Sequence, residues 1–162
     1  MPTTPQSPTA VPLSIYGSPT EVAPLDWSWV DEQLEAAGIY WVVANGPGAP
    51  HPRPLWGLWI DHRLHLSIGS PVINRQLAAH TAPAVTAHLE SGTDVVILEG
   101  TVAGTTEDAT LLELYDAKYD WNYTVEEYGP LTTVVPTTVV AWRSAGWAGR
   151  ESFRTAGKWT FG

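Results

Sequence analysis

The 162-residue chain contains no cysteine. That excludes disulfides, thiolate nucleophiles and zinc–thiolate sites, and it suits a cytoplasmic protein. Cations are scarce as well: eight Lys and Arg face seventeen Asp and Glu, a formal net charge of −9. A nucleic-acid binder needs a basic face to displace counterions from phosphates, so that partner class is set aside. No apolar run approaches the roughly 20 residues of a membrane-spanning helix, and the N-terminus lacks the basic and apolar segments of a secretory signal. The expectation is a soluble cytoplasmic protein without membrane contact.

Sequence signatures of common chemistry are missing too. There is no Gly-x-Ser-x-Gly elbow and no P-loop, and Gly46-Pro47-Gly48 is a proline turn, a poor dinucleotide fingerprint. His62 and His65 straddle a tight turn with no third ligand in sight, so no metal site is expected. Glu126 and Glu127 sit in a polar loop and read as solvated charge. A chain without a nucleophile or metal can still be an enzyme if an organic cofactor supplies the reactivity.

What the chain has in plenty is tryptophan, nine residues in all. Most are expected in the core or at contacts between subunits, where large aromatics dominate. Residues 1–25, rich in Pro, Thr and Ser, read as a flexible arm or one that docks on a partner; residues 26–162 form the folded domain. Asp26 looks like the N-cap of a helix with Trp27, Val30, Leu34 and Ala37 at helical spacing, closed by Gly38. Strand patterns follow: IYWVVAN, then RPLWGLWI, the Asp61-His62-Arg63 turn, and RLHLSI. A short helix fits 72–80, and AVTAHLES and VVILEGTVAGT are two strands about the Gly92-Thr93-Asp94 turn. A longer helix spans 105–121, opened by Thr105 or Thr106, with Leu111, Leu112, Leu114, Tyr115 and Tyr119 packed along it. TTVVPTTVVAWR is strand-like, with Pro136 marking an edge or bulge, and SFRTAGKWTFG supplies a last strand. About six strands in consecutive hairpins, with three helices between them, point to an antiparallel barrel.

One stretch raises a question of its own. HPRPLWGLWIDHRLHLSIGS (51–70) sets Arg53 just before Trp56, Gly57 and Trp59, then runs into a Ser-x-Gly-Ser loop. A site for a ligand with a flat aromatic part and an anionic tail is one answer, and an ordinary β-hairpin is the other.

RPLWGLWIDHRLHLSIG, NRQLAAH, VTAHLESGTDVVILEGTV, LLELYDAKYDW and KWTF, taken in order, resemble the pyridoxamine 5'-phosphate oxidase-like proteins. More narrowly, they resemble the actinobacterial flavin and deazaflavin oxidoreductases of the FMN-binding split-barrel type. The resemblance covers roughly residues 27–161 and implies a mainly β (α+β) fold, a six-stranded antiparallel split β-barrel with flanking helices. It implies a homodimer with two flavin sites between the subunits, and hydride transfer between flavin N5 and a small organic substrate.

By the same resemblance Arg53 meets the cofactor phosphate, while Pro54, Leu55, Trp56 and Gly57 form the strand edge beside the isoalloxazine. Ser67, Ser70, Arg75 and Gln76 gather at the start of the next helix, where a phosphate is well placed. Lys158 and Trp159 would close over the ring from the second subunit. FMN is the expected cofactor, because the polyglutamate tail of coenzyme F420 favours a broad basic groove; F420 is the alternative. Ile73 or Asn74 stands where many relatives carry a lysine, which keeps a cofactor-free relative open, and the lack of a chain-borne acid or base keeps a non-catalytic flavin- or ligand-binding protein open. The C-terminus lacks the substrate-phosphate pattern of true pyridoxamine phosphate oxidases, so vitamin B6 oxidation is not expected.

Overall fold

The computed structural model describes residues 7–13, 22–80, 82, 84–146 and 153–162. Ten strands and four helices follow one another there: β1 (Thr9–Val11), β2 (Ala23–Pro24), α1 (Trp27–Ala36), β3 (Tyr40–Ala44), β4 (Arg53–Leu55), β5 (Gly57–Ile60), β6 (Arg63–Leu66), α2 (Pro71–Ala78), β7 (Ala84–His88), β8 (Asp94–Thr106), α3 (Ala109–Tyr119), α4 (Val125–Tyr128), β9 (Leu131–Ser144) and β10 (Phe153–Thr160). The architecture is mainly antiparallel β with helices, an open sheet in the order β1-β10-β9-β8-β7-β3-β4. The β5–β6 hairpin joins it through β6, which pairs with β9.

β9 is the centre of this sheet. One edge pairs with β8 from end to end; the other meets β6 at 132–134 and β10 from Thr138 to Ser144. Along β8, Val96, Leu98 and Gly100 turn inward and are buried, while Glu99 and Thr101 face outward, the period-two pattern of a half-buried strand. Pro136 lies where the β8–β9 register shifts, between Glu99 and Gly100. A bulge tolerates the residue that cannot donate to the ladder.

More strands form than the sequence pattern announces, for two reasons. The 53–60 run breaks at Trp56, so that β4 pairs with β3 while β5 turns to β6. Of residues 1–25, Thr9–Val11 lies antiparallel to β10 and Ala23–Pro24 lies parallel to it.

Local chemistry explains most boundaries. Asp61 and His62 both adopt positive φ (50° and 54°), the geometry of a two-residue hairpin turn whose twist matches its strands. Asp26 occupies the N-cap of α1 without a side-chain cap bond, and the helix leaves through an extended Ala37 rather than at Gly38. Thr105 and Thr106 do not open α3. They continue β8 against Thr132 and Leu131, and Asp108 caps the helix instead, its Oδ1 accepting the Leu111 N–H at 3.0 Å. α2 begins with Pro71 at its first turn, where a missing N–H costs nothing.

The main core joins the inner sheet face (Val42, Leu64, Val96, Val139) to Val30 and Leu34 of α1 and Ile73 of α2. A smaller one under α3 gathers Leu58, Tyr115, Tyr123 and Leu131. Among the described residues no helix is long and apolar enough to cross a membrane, and no group of three or more His, Asp or Glu could hold a metal ion.

Candidate functional site

The break at Trp56 creates the most unusual surface of the molecule. Trp56 leaves the strand ladder with its side chain 36% exposed and lies flat on Tyr119 of α3, ring centroids 4.7 Å apart and planes 1° from parallel. Trp121 meets the Trp56 ring edge-on at 5.1 Å, and Tyr128 continues the aromatic wall from Trp121 at 5.9 Å. Gly57 has no room for a side chain: a Cβ would stand 2.8 Å from the His65 carbonyl and 2.9 Å from Leu66 Cδ2.

The backbone at this break is served by side chains. The Gly57 N–H donates to the Tyr119 hydroxyl at 2.9 Å, and that hydroxyl lies 2.8 Å from Gly57 O and 3.0 Å from Gly38 O, either of which can accept its proton. Lys118 Nζ donates to Gly57 O at 3.0 Å and to Glu35 O at 3.4 Å. It also sits over the rings of Tyr40 and Tyr119 at 5.5 and 5.4 Å. Burial pushes the Lys118 ammonium below its usual range, with Glu35 opposing, and burial pushes the Tyr119 hydroxyl up. The edge at Gly57 is therefore already hydrogen-bonded within the chain.

Ser67 belongs to the same place. Its N–H donates to Trp56 O at 3.1 Å, and its hydroxyl acts on the phenols of Tyr115 and Tyr123, favouring their ionised forms against burial. Burial raises Tyr115 to about 12, with Ser67 opposing. So Trp56, Gly57 and Ser67 are brought together, beneath the aromatic side chains of α3.

The other sequence-selected residues spread outward. Ser70 caps α2, its Oγ accepting the Ile73 N–H at 3.4 Å. Arg75 is exposed on α2. Gln76 is 3% exposed; its amide donates to Ala49 O at 3.5 Å, while buried Oε1 has no hydrogen-bond partner. Arg53 is exposed on edge strand β4, its guanidinium donating to Pro52 O, and Pro54 is exposed opposite Trp41. Leu55 is buried in the main core. Lys158 and Trp159 take opposite faces of β10: Lys158 is half-buried beside Val140, whereas Trp159, 4% exposed, sets its indole against Trp27 in the core.

Two grooves open on the described surface. One, of roughly 590 Å³, runs over β5 between α1 and α3, with Asp31, Glu35, Asp61, Leu114 and Lys118 on its walls. The other, roughly 400 Å³, lies on the outer sheet face among Asn45, Thr86, Glu99, Thr101 and Thr137. None of the eleven sequence-selected residues lines either groove. Sequence reasoning took Tyr119 as ordinary helix packing and gave Lys118 no role. The usable signal was Lys118 itself, one of only two lysines in the chain, beside the last aromatic of the helix.

No protein-family model matches the chain, and no curated protein matches its sequence. Solved structures do. An F420 reductase superposes with a TM-score of 0.53 at 18% identity, over 67% of this chain and 94% of that one. An FAD-binding protein from Mesorhizobium loti gives a TM-score of 0.50 at 12% identity, over 84% and 96%. The chain shares their fold. At such identities nothing finer follows from the likeness.

Proposed function

We propose that this protein is a flavin-dependent oxidoreductase of the pyridoxamine 5'-phosphate oxidase-like split-barrel type. Its shared fold with an F420 reductase and an FAD-binding protein carries the reading. The strand pairings support the barrel: if β4 and β5 count as one interrupted strand, neighbours run β3, β4/β5, β6, β9, β8, β7 and back to β3.

The residues present suit a flat ring with an anionic tail. Trp56 offers an aromatic face, Arg53 and Arg75 offer exposed guanidinium groups, and Gln76 Oε1 is a buried acceptor still lacking a donor. Arg53, Pro54, Trp56, Ser70, Arg75 and Gln76 would hold the cofactor, Gly57 and Ser67 would fix the strand break beside it, and Lys158 would reach it from a second copy. Leu55 and Trp159 would act from beneath, as core residues fixing β4 and β10. Bound flavin would supply the two-electron chemistry; the chain would orient it beside a small organic substrate and limit water's access.

A homodimer suits the outer sheet face. A row of paired residues, Trp41, His88, Ile97, Val140 and Lys158, crosses five strands there with almost no charge. A cytoplasmic location accords with the absence of cysteine. FMN is preferred because cations are few; coenzyme F420 is the second choice, favoured by the likeness to an F420 reductase. Denaturing the purified protein and weighing the released chromophore decides between them. Deazaflavin would replace FMN by F420; a colourless protein that fails to quench its tryptophans on titration with either cofactor would end the flavin proposal.

A further inference from the structure

None of the residues assigned above to flavin lines the groove over β5, and its chemistry differs. Its floor and one wall are apolar: Leu58 and Ile60 come from β5, and Leu114 projects from α3 with 43% of its surface exposed. The roughly 590 Å³ it encloses falls in the range of small-molecule sites. Its charge is lopsided. Asp31 and Glu35 of α1 and Asp61 of the hairpin turn bring three carboxylates to the walls, against one ammonium, Lys118, and the His62 imidazole.

That ammonium is committed elsewhere. Lys118 Nζ is tied to the carbonyls of Gly57 and Glu35 at the end of the groove and covered by two tyrosine rings. Glu35 acts on that ammonium through its charge, and Asp61 stands exposed at the hairpin turn. Asp31 is pre-oriented, its Oδ1 accepting the Trp59 indole N–H at 2.7 Å with His62 Nε2 at 3.8 Å. Carboxylates on an open surface would be ordinary solvated charge. Here Asp31 is half-buried beside a greasy floor, where an ion pair is screened less than in bulk water, and Glu35 and Asp61 stand exposed at the rim.

We infer that the groove between α1, β5 and α3 binds a small organic cation, a primary ammonium carried on an apolar or aromatic body. The ammonium lies at the Asp31–Asp61 end, away from Lys118, and the body lies along Leu58, Ile60 and Leu114. An anionic ligand of the same shape is rejected by the same carboxylates, so charge sets the selectivity.

Calorimetric titration of the full chain with phenethylammonium, 2-phenylethanol and 3-phenylpropionate separates charge from shape. The ammonium should bind at least about tenfold tighter than the alcohol, the carboxylate should show no binding, and the ammonium should weaken as salt is raised. Asp61→Asn, at an exposed left-handed position that asparagine tolerates, should weaken the ammonium about fivefold or more. Leu114→Lys should abolish binding by placing a second cation on the wall. Circular dichroism checks that both variants are folded. Equal affinity for ammonium and alcohol, no binding of the ammonium at millimolar concentration, or binding unmoved by both substitutions would each overturn the proposal. None of these readouts depends on bound flavin.

Discussion

Tyr119 and Trp56, 63 positions apart in the chain, lie face to face at 4.7 Å, and the Tyr119 hydroxyl takes the amide proton of Gly57, the residue next to Trp56. One side chain thus holds both the ring and the backbone at the point where the strand breaks. Tyr119→Phe keeps the stack but strands the Gly57 N–H, and should cost about 1–3 kcal/mol. Tyr119→Ala should cost about 0.5–1.5 kcal/mol more for the lost ring pair alone. Urea unfolding followed by far-ultraviolet circular dichroism measures both; a Phe variant as stable as the parent would mean that water serves Gly57 equally well.

Gly57→Ala tests the crowding on the other side of the same residue. The added methyl meets the His65 carbonyl at 2.8 Å, a backbone atom that cannot swing away. The expected loss is about 1–3 kcal/mol, as for other overpacked sites. An unaltered denaturation midpoint would show that β5 and β6 can separate without cost.

His65 gives the fold a pH dependence. It is 6% exposed, burial lowers its pKa, and its Nδ1 lies 3.1 Å from Thr133 Oγ1. A histidine whose folded pKa is depressed favours the folded state above its unfolded value of about 6.5, and that contribution is lost as pH falls towards the folded value. Unfolding free energy should therefore fall with acidification below about pH 6.5, and His65→Gln should flatten that part of the curve. Parallel curves for parent and variant would remove His65 as the cause.

Arg53 separates binding from folding. Its guanidinium is exposed and donates only to Pro52 O in the described structure, so Arg53→Ala should leave the denaturation midpoint unchanged. Under the proposed function the same substitution should weaken FMN by about 1.5–3 kcal/mol, the value of a hydrogen bond to a charged group. Tryptophan quenching by added FMN reads the affinity directly. Identical titrations for parent and variant would take Arg53 out of the cofactor site.

Much of the strand and helix order can be read from the amino acids, because its signals are local. The Asp61-His62 turn, the proline at 136 and the stripe from Leu111 to Tyr119 each carry their geometry within a few residues. What stays hidden depends on distant partners. Nothing in RPLWGLWI shows that the strand changes neighbours at Trp56, since that is decided by β3 on one side and β6 on the other. Thr105 and Thr106 look like helix caps until Leu131 and Thr132 claim them for the sheet. The candidate site shows the same limit: Ser67 and Ser70 were legible as hydroxyls near a helix start, but the phenols of Tyr115 and Tyr123 that engage Ser67 come from α3 and the loop beyond it.

β9 is the strand on which β6, β8 and β10 all depend, yet it follows β6 and β8 in the chain. A ribosome that has reached residue 130 has delivered β6 and β8 with no strand to lie between them, so the nascent chain carries two open edges until Leu131 to Ser144 emerges. Completion of the sheet waits for that segment, and a stall just before it leaves the chain prone to aggregate.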